Sequence, residues 1–340
     1  MTKRGTIACF GELLLRMTSP GSERFLQSAR FDVYVGGAEA NVGASLAQFG
    51  HQVRMVSTIP NNPLGEGAVA EMRRHGLDVS HVSRAEGRMG MYYLSQGAVR
   101  RPSEIIYDRK FSAFDQADPE ATDWRAALDG MEWLHLSGVT PAIGASCSQA
   151  VLNIAKTASE MGVKVSFDGN YRGQLWAAWD GDGPGVLRQL LECASIAFIN
   201  ERDIGLILQQ SFEGDTVADR RKEAFRLAFK TFEKLERIAC TTRRQNSVEH
   251  HMLSGEIVTA SSRVTAQEQD LTGVVDRIGG GDAFAAGVLH AIMSGKDDQY
   301  AVDFGVAASA IKHSIPGDIN IASVSDVEQA MESDSLDVKR

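Results

Sequence analysis

The spacing of apolar residues predicts a chain in which short buried strands alternate with helices. Apolar runs bounded by turn residues indicate strands at 6–15, 52–59, 133–137, 163–167, 195–199 and 237–241. Segments with helical periodicity are expected after these strands, as at 63–75, where Gly76 ends the helix. Alternating strands and helices form right-handed crossovers and a mainly parallel sheet. The pattern therefore predicts an α/β fold in which helices cover both faces of the sheet.

Two segments, at about 16–35 and 89–113, depart from this alternation. Residues 91–94 and 105–109 are rich in aromatic and β-branched residues, and no helical segment follows either of them. We expect these strands to pair antiparallel, outside the main sheet. The chain is thus predicted to form one domain, residues 1–340, organised as a three-layer α/β/α sandwich with a small discontinuous β lid. Residues 323–340 are expected to form a weak helix and a polar tail.

Composition narrows the classes of function. The 340 residues are 43% hydrophobic and 23% charged, which is typical of a soluble globular protein. A net charge of −9 argues against a nucleic-acid partner or a membrane surface, because no basic excess is available for phosphate contacts. The four cysteines form no C-x-x-C pair and are expected to be reduced core thiols. No signal peptide and no long apolar span is found, so we expect a cytoplasmic protein.

The segment most suggestive of chemistry is a three-glycine turn that follows a short predicted strand at 274–275 and begins a helix. Gly279, Gly280 and Gly281 lack a Cβ, so the backbone can direct several N–H groups toward one anion at the helix N-terminus. Asp282 follows in the first helical turn, as either a helix cap or a base beside that anion. The helix is apolar on nearly every face, which favours a buried terminus and the functional interpretation.

Polar residues at other predicted strand ends suggest a ligand site, although each has an ordinary structural alternative. Gly37 and Asn41 share one helical face, but they equally suit a helix start. Tyr107 and Arg109 share one strand face and suit a ligand with hydroxyl groups and a carboxylate. An ordinary surface pair is the commoner arrangement. Arg172 follows the strand at 163–167 and is predicted to be a second contact to the carboxylate of the ligand.

The second half of the chain contains candidate nucleotide and metal contacts. Asn200 and Asp203 suit either a magnesium ion bound through water or a helix cap. The hydroxyl group of Thr242 suits a nucleotide phosphate. The small residues around Ala308 suit either a slot for a flat base or tight helix packing.

Two segments resemble the signatures of a known family. Residues 36–41, Gly-Gly-Ala-Glu-Ala-Asn, and 276–282, Asp-Arg-Ile-Gly-Gly-Gly-Asp, together resemble those of the ribokinase-like (PfkB) carbohydrate kinases. Within that family, residues 11–16, Tyr93 and the segments 107–109, 167–172 and 312–318 are similar to 2-keto-3-deoxygluconate kinases.

The resemblance implies a ribokinase-like fold and ATP-dependent phosphorylation of the terminal hydroxyl group of a sugar acid. Mg²⁺ is implied as cofactor, and a monovalent cation such as K⁺ is an open requirement. Asp282 is implied as the base, and the N–H groups of residues 279–282 as donors to the transferring phosphoryl group. The other implied contacts are Gly36, Gly37, Asn41, Tyr93, Tyr107, Arg109 and Arg172 for the sugar acid, Asn200, Thr242, Ala308, Lys312 and Pro316 for the nucleotide, and Asp203 for the metal.

The chain departs from the family pattern at three points. Asp203 stands where the family often has Glu, residues 242–245 (Thr-Arg-Arg-Gln) replace the usual Gly-rich turn, and Arg277 replaces a frequent Thr. The alternatives are a neutral-sugar or nucleoside kinase of the same fold and a non-catalytic sugar-binding regulator. The exposed edges of the lid predict a homodimer or larger homo-oligomer formed through the lid.

Overall fold

The computed structural model describes residues 5–332. Its strands are β1 (Thr6–Phe10), β2 (Leu14–Thr18), β3 (Asp32–Gly36), β4 (Gln52–Pro60), β5 (Asp78–Ala85), β6 (Gly90–Ser95), β7 (Glu104–Asp108), β8 (Trp133–Ser137), β9 (Lys164–Asp168), β10 (Ala194–Phe198), β11 (Arg237–Ser247), β12 (His250–Val258), β13 (Arg263–Thr265) and β14 (Gln269–Thr272). Its helices are α1 (Ala38–Gln48), α2 (Pro63–Arg74), α3 (Trp124–Leu128), α4 (Ala145–Met161), α5 (Gly173–Ala177), α6 (Gly183–Cys193), α7 (Glu201–Leu208), α8 (Val217–Thr231), α9 (Gly280–Met293), α10 (Asp298–Lys312) and α11 (Val324–Glu332).

The larger sheet has the order β13-β12-β11-β10-β9-β8-β1-β4-β5, and β14 also pairs with β12. Strands β11 to β5 in this order pair parallel, and the pairings of β12 with β11, β13 and β14 are antiparallel. The predicted α/β fold with a mainly parallel sheet is confirmed. The carboxyl ends of the parallel strands lie at one edge, which is where ligands bind in such sheets.

Each face of this sheet has its own hydrophobic core. Ile7 and Cys9 of β1 belong to the core beneath α1, α9 and α10, whereas Ala8 and Phe10 belong to the core beneath α4, α6 and α8. Alternate strand residues point to opposite faces, so a strand covered on both sides is apolar throughout. The helices therefore form layers on both sides of the sheet, as predicted.

The lid is a separate sheet with the order β3-β2-β6-β7. The predicted antiparallel pairing of the two aromatic strands is confirmed for β6 and β7, and β2 pairs parallel with β6. The single strand predicted at 6–15 is wrong, because the chain leaves the main sheet after Phe10 and enters the lid at Leu14. A Cβ at Gly11 would collide with the carboxylate of Glu39, so glycine lets the buried Glu39 side chain keep its position at the crossing between the sheets.

Two further local predictions are wrong. The strand that begins at Arg237 is followed by the antiparallel strand β12 rather than by a helix. The strand expected at 274–275 is absent, because the N–H groups of Val275 and Asp276 both donate to the carbonyl oxygen of His313. Of the weak helix and polar tail predicted over 323–340, the helix is α11, and residues 333–340 lie outside the described residues. None of the helices between residues 5 and 332 is both long and apolar enough to cross a membrane.

Candidate active site

The glycine turn lies where the sequence predicts it and begins helix α9. Gly279 has φ 81°, and a Cβ there would collide with the carbonyl oxygen of Asp318, so this position requires glycine. A Cβ on Gly281 would meet no heavy atom within 4 Å, so the backbone at this point borders open space. N–H groups in the first turn of a helix have no intrahelical acceptor. The turn can therefore donate to an anion in the adjoining cavity.

Asp282 faces this cavity and is held by an amide from the other half of the chain. Asn41 Nδ2 donates to Asp282 Oδ2 at 2.7 Å. Burial raises the pKa of Asp282 to about 6, and the nearby Asp318 adds to this rise, while the bond from Asn41 opposes it. Asp282 is therefore ionised at neutral pH yet has a pKa close enough to 7 to accept a proton, as a general base requires.

The cavity has a volume of about 520 Å³ and lies between the lid and the carboxyl ends of the strands. It brings together eight predicted site residues: Gly37, Asn41, Tyr107, Arg109, Arg172, Gly279, Gly281 and Asp282. Gly36 and Gly280 are buried just behind its wall, where a Cβ would crowd the carboxylate of Asp318 and the ring of His313 respectively. A cavity of this size accommodates a small polar molecule together with phosphate groups.

The two arginines predicted to contact the sugar acid differ in their charge balance. Arg109 is buried, and its Nε donates to Glu12 Oε2 at 2.6 Å, which neutralises its charge. Arg172 is exposed at the cavity edge and forms no ion pair with any residue between 5 and 332. An unpaired guanidinium binds a carboxylate through two parallel hydrogen bonds. Arg172 is thus the better placed of the two to receive an anion.

The tyrosine of β6 that faces the cavity is Tyr92, not the predicted Tyr93. Tyr92 pairs across the lid with Tyr107, and its hydroxyl group donates to Asp318 Oδ2 at 2.7 Å. Tyr93 points to the other face of the lid and packs against Phe31, with ring centroids 5.8 Å apart. The reason is the two-residue period of a strand, which places neighbouring residues on opposite faces.

Asn200 and Asp203 form a capping box at the start of α7 and do not line the cavity. Asn200 Oδ1 accepts from the N–H groups of Arg202 and Asp203, and Asp203 Oδ2 accepts from that of Asn200 at 2.9 Å. This is the capping alternative that the sequence left open. Burial raises the pKa of Asp203, but its carboxylate is occupied by the cap.

The other predicted nucleotide contacts are largely occupied by protein atoms. Ala308 is fully buried where α10 packs on α9, so here the small residues serve close helix packing. Lys312 is also fully buried, and its Nζ donates to the carbonyl oxygen of Ile315 at 2.8 Å. Thr242 accepts a hydrogen bond from Arg221 at 2.9 Å. Of this group only Thr242 and Pro316 are exposed.

A buried ionic network beneath the glycine turn was not predicted. Arg16 is fully buried and bridges two carboxylates, donating to Asp276 Oδ2 and Asp318 Oδ1 at 2.6 Å each. Asp276 Oδ1 in turn accepts from the N–H group of Ile278, which fixes the segment leading into the turn. The three residues lie inside the segments that carry the family resemblance, and that was the only signal for them. The network ties the lid to the turn.

One carboxyl group and two further arginines also contribute to the charge of the cavity. Burial, together with the nearby Asp282, raises the pKa of Asp168 to about 8. Arg243 and Arg277 also line the cavity, and neither was predicted to contact a ligand. The cavity wall thus carries Asp168, Asp282 and Asp318 together with guanidinium groups that are incompletely paired.

Comparisons with known proteins place this geometry in context. Residues 5–324 match the family described as pfkB family carbohydrate kinase. The chain is 27% identical over 334 residues to a 2-dehydro-3-deoxygalactonokinase of Haloferax volcanii, with 98% of this chain and 99% of the relative covered. The crystal structure of a 2-dehydro-3-deoxygluconokinase from Thermotoga maritima is similar, with a TM-score of 0.91, 34% identity and coverage of 97% and 100%.

A more distant structure shares only the fold. It is a putative ribokinase II from E. coli in complex with ATP and Mg²⁺, with a TM-score of 0.80, 17% identity and coverage of 97% and 99%.

Proposed function

Because the chain belongs to the pfkB family of carbohydrate kinases, we propose that it phosphorylates the terminal hydroxyl group of a 2-keto-3-deoxy sugar acid with ATP. The preferred substrate is 2-keto-3-deoxygluconate, and the product is its 6-phosphate. The observation that carries this proposal is Asp282 beside the open glycine turn, with the unpaired Arg172 in the same cavity. The names of the similar proteins support the class of substrate.

The proposed reaction follows from these positions. Asp282 accepts the proton of the sugar hydroxyl group while the hydroxyl oxygen forms a bond to the γ-phosphorus of ATP. The bond between that phosphorus and the oxygen bridging to the β-phosphate breaks, which releases ADP. The N–H groups of the turn at 279–282 stabilise charge on the transferring phosphoryl group. Asn41 holds the carboxylate in place. Tyr107 and Arg172, which line the same cavity, bind the sugar acid.

Mg²⁺ fits the cavity as a companion of the nucleotide. Among residues 5–332, no group of three or more acidic, histidine or cysteine side chains is arranged to hold a metal, and Mg²⁺ in kinases is bound largely by substrate phosphates. Asp168, whose pKa burial raises to about 8, is a carboxyl group of the cavity that a nearby cation would favour in its ionised form. The ion neutralises phosphate charge when bound. A need for K⁺ stays a prediction from the resemblance.

Replacing Arg172 by methionine tests the substrate class. The KM for 2-keto-3-deoxygluconate should rise roughly 10–100-fold, because a hydrogen bond to a charged group contributes roughly 1.5–3 kcal/mol. Rates with ribose or fructose, which carry no carboxylate, should not fall in parallel. Steady-state kinetics across this panel make the measurement, and Arg188→Met, an exposed arginine on α6 paired with Glu192, is the control. Equal use of neutral sugars and ketodeoxy acids by the unmodified enzyme would favour the neutral-sugar alternative.

We also propose a homodimer in which the outer faces of two lids pack together. Val33, Met17, Tyr93 and Ile106 form a cross-strand row over all four lid strands. Val33 and Ile106 are 53% and 48% exposed, an unusual state for apolar strand residues in such a row. A second copy of the same face would cover the row symmetrically.

The cytoplasm remains the proposed location, supported by four cysteines that form no disulfide.

The double variant Val33→Asp, Ile106→Asp is expected to be monomeric, because it would bury four unpaired carboxylates in a symmetric interface. Analytical ultracentrifugation at micromolar concentration makes the measurement. Leu64→Asp, at an equally exposed apolar position on α2, should leave the dimer intact. A monomeric unmodified protein, or a dimer that survives both lid substitutions, would contradict the proposed interface.

A further inference from the structure

Arg243 and Arg277 stand out because both guanidinium groups line the active cavity without an acidic partner. Neither forms a salt bridge or a side-chain hydrogen bond to any residue between 5 and 332. The next residue along β11, Arg244, is paired with Glu268 at 3.5 Å. At this strand end, the arginine that faces the cavity therefore lacks an acidic partner, whereas its neighbour has one.

The two side chains are close enough to repel each other. Burial lowers the pKa of Arg243, and the positive charge of Arg277 lowers it further. Two neighbouring positive charges favour an anion in the space between them, because the anion offsets their repulsion. A bound anion would therefore relieve the repulsion between Arg243 and Arg277.

His251, which lies beside the two arginines, supplies no negative charge to balance them. His251 is fully buried, and neither of its ring nitrogens has a hydrogen-bond partner. Burial lowers its pKa to about 4, and Arg243, His313 and Arg277 each contribute, so this ring is neutral. Its ring packs edge-on against His313, which contacts Gly280 of the turn. The unpaired cations thus adjoin the turn that receives phosphate in the proposed function.

We propose that Arg243 and Arg277 form a clamp for the terminal phosphates of the nucleotide donor, an inference that rests on the proposed function. The sugar carboxylate is already provided for by Arg172, so the remaining polyanion is the triphosphate. Two departures from the family pattern, the missing Gly-rich turn at 242–245 and Arg277 in place of Thr, meet at this wall. The clamp replaces backbone donors by guanidinium groups, which bind phosphate oxygens through two parallel hydrogen bonds.

The test measures binding and turnover separately in Arg243→Met, Arg277→Met and the double variant. Calorimetry with ADP and with inorganic tripolyphosphate should show roughly 10–100-fold weaker binding for each single variant and a larger loss for the double variant. Adenosine, which carries no phosphate, should bind as before. The KM for ATP should rise, whereas the KM for the sugar acid should change less than twofold. Arg244→Met is the matched control and should change none of these values.

The outcomes separate the clamp from the proposed function. Unchanged ADP and tripolyphosphate affinity in correctly folded variants would overturn the clamp. So would a selective rise in the KM for the sugar acid, which would assign the arginines to the acceptor. If tripolyphosphate binding depends on the arginines but the protein turns over no ketodeoxy acid, the proposed phosphate site would stand and the proposed sugar substrate would be wrong. Thermal unfolding of each variant confirms that it is folded.

Discussion

Asp282→Asn is expected to lower kcat by roughly 10²–10⁴-fold, because the amide cannot accept the proton of the attacking hydroxyl group. The substitution keeps the size of the side chain and its bond partner Asn41, so the glycine turn should retain its shape. Affinity for ADP should change little, or improve slightly, since one negative charge near the phosphates is lost. Steady-state kinetics with a coupled ADP assay and calorimetry with ADP make the two measurements.

The pH profile gives a second readout of the same group. Burial raises the pKa of Asp282 to about 6, from a usual value near 3.8. A base works only when deprotonated, so kcat/KM should fall as pH falls through about 6 and reach a plateau above it. The acid limb should vanish in Asp282→Asn, whose residual rate has no such group to titrate. Near-normal turnover in that variant, or an unchanged acid limb, would remove Asp282 from the role of base.

The parts of the site that sequence reasoning located are those determined by local geometry. The glycine turn and Asp282 follow one another in the chain, so a turn that begins a helix fixes their relation. Tyr107 and Arg109 share a face because of the strand period alone, and both line the cavity. The alternation of strands and helices likewise determined the sheet, because both of its faces are buried.

The parts that were missed depend on tertiary placement. The period of two separates Tyr92 from Tyr93 but does not reveal which of them faces the ligand; this follows only from the pairing of Tyr92 with Tyr107. Asn200 and Asp203 suit a metal site and a helix cap equally well in sequence. In the structure they form the cap, because their side chains accept from N–H groups at the start of α7. Lys312 was implied as a nucleotide contact, yet α10 carries it into the interior.

The network of Arg16 shows the same limit most clearly, since its partner Asp318 lies 302 residues away in the chain. Arg16→Met is expected to reduce the free energy of unfolding by about 3–5 kcal/mol, because the buried carboxylates of Asp276 and Asp318 would lose their counter-charge. Urea denaturation makes the measurement. Arg125→Met breaks an exposed pair with Glu160 and should cost less than about 1 kcal/mol.

A second substitution identifies the cause of that loss. If the orphaned carboxylates are responsible, adding Asp318→Asn to Arg16→Met should recover part of the stability, because it removes one uncompensated charge and keeps an acceptor for Tyr92. If the loss instead reflects only the changed packing of residue 16, the double variant should be no more stable than the single one. An Arg16→Met protein as stable as Arg125→Met would show that the bridge between lid and turn contributes no net stability.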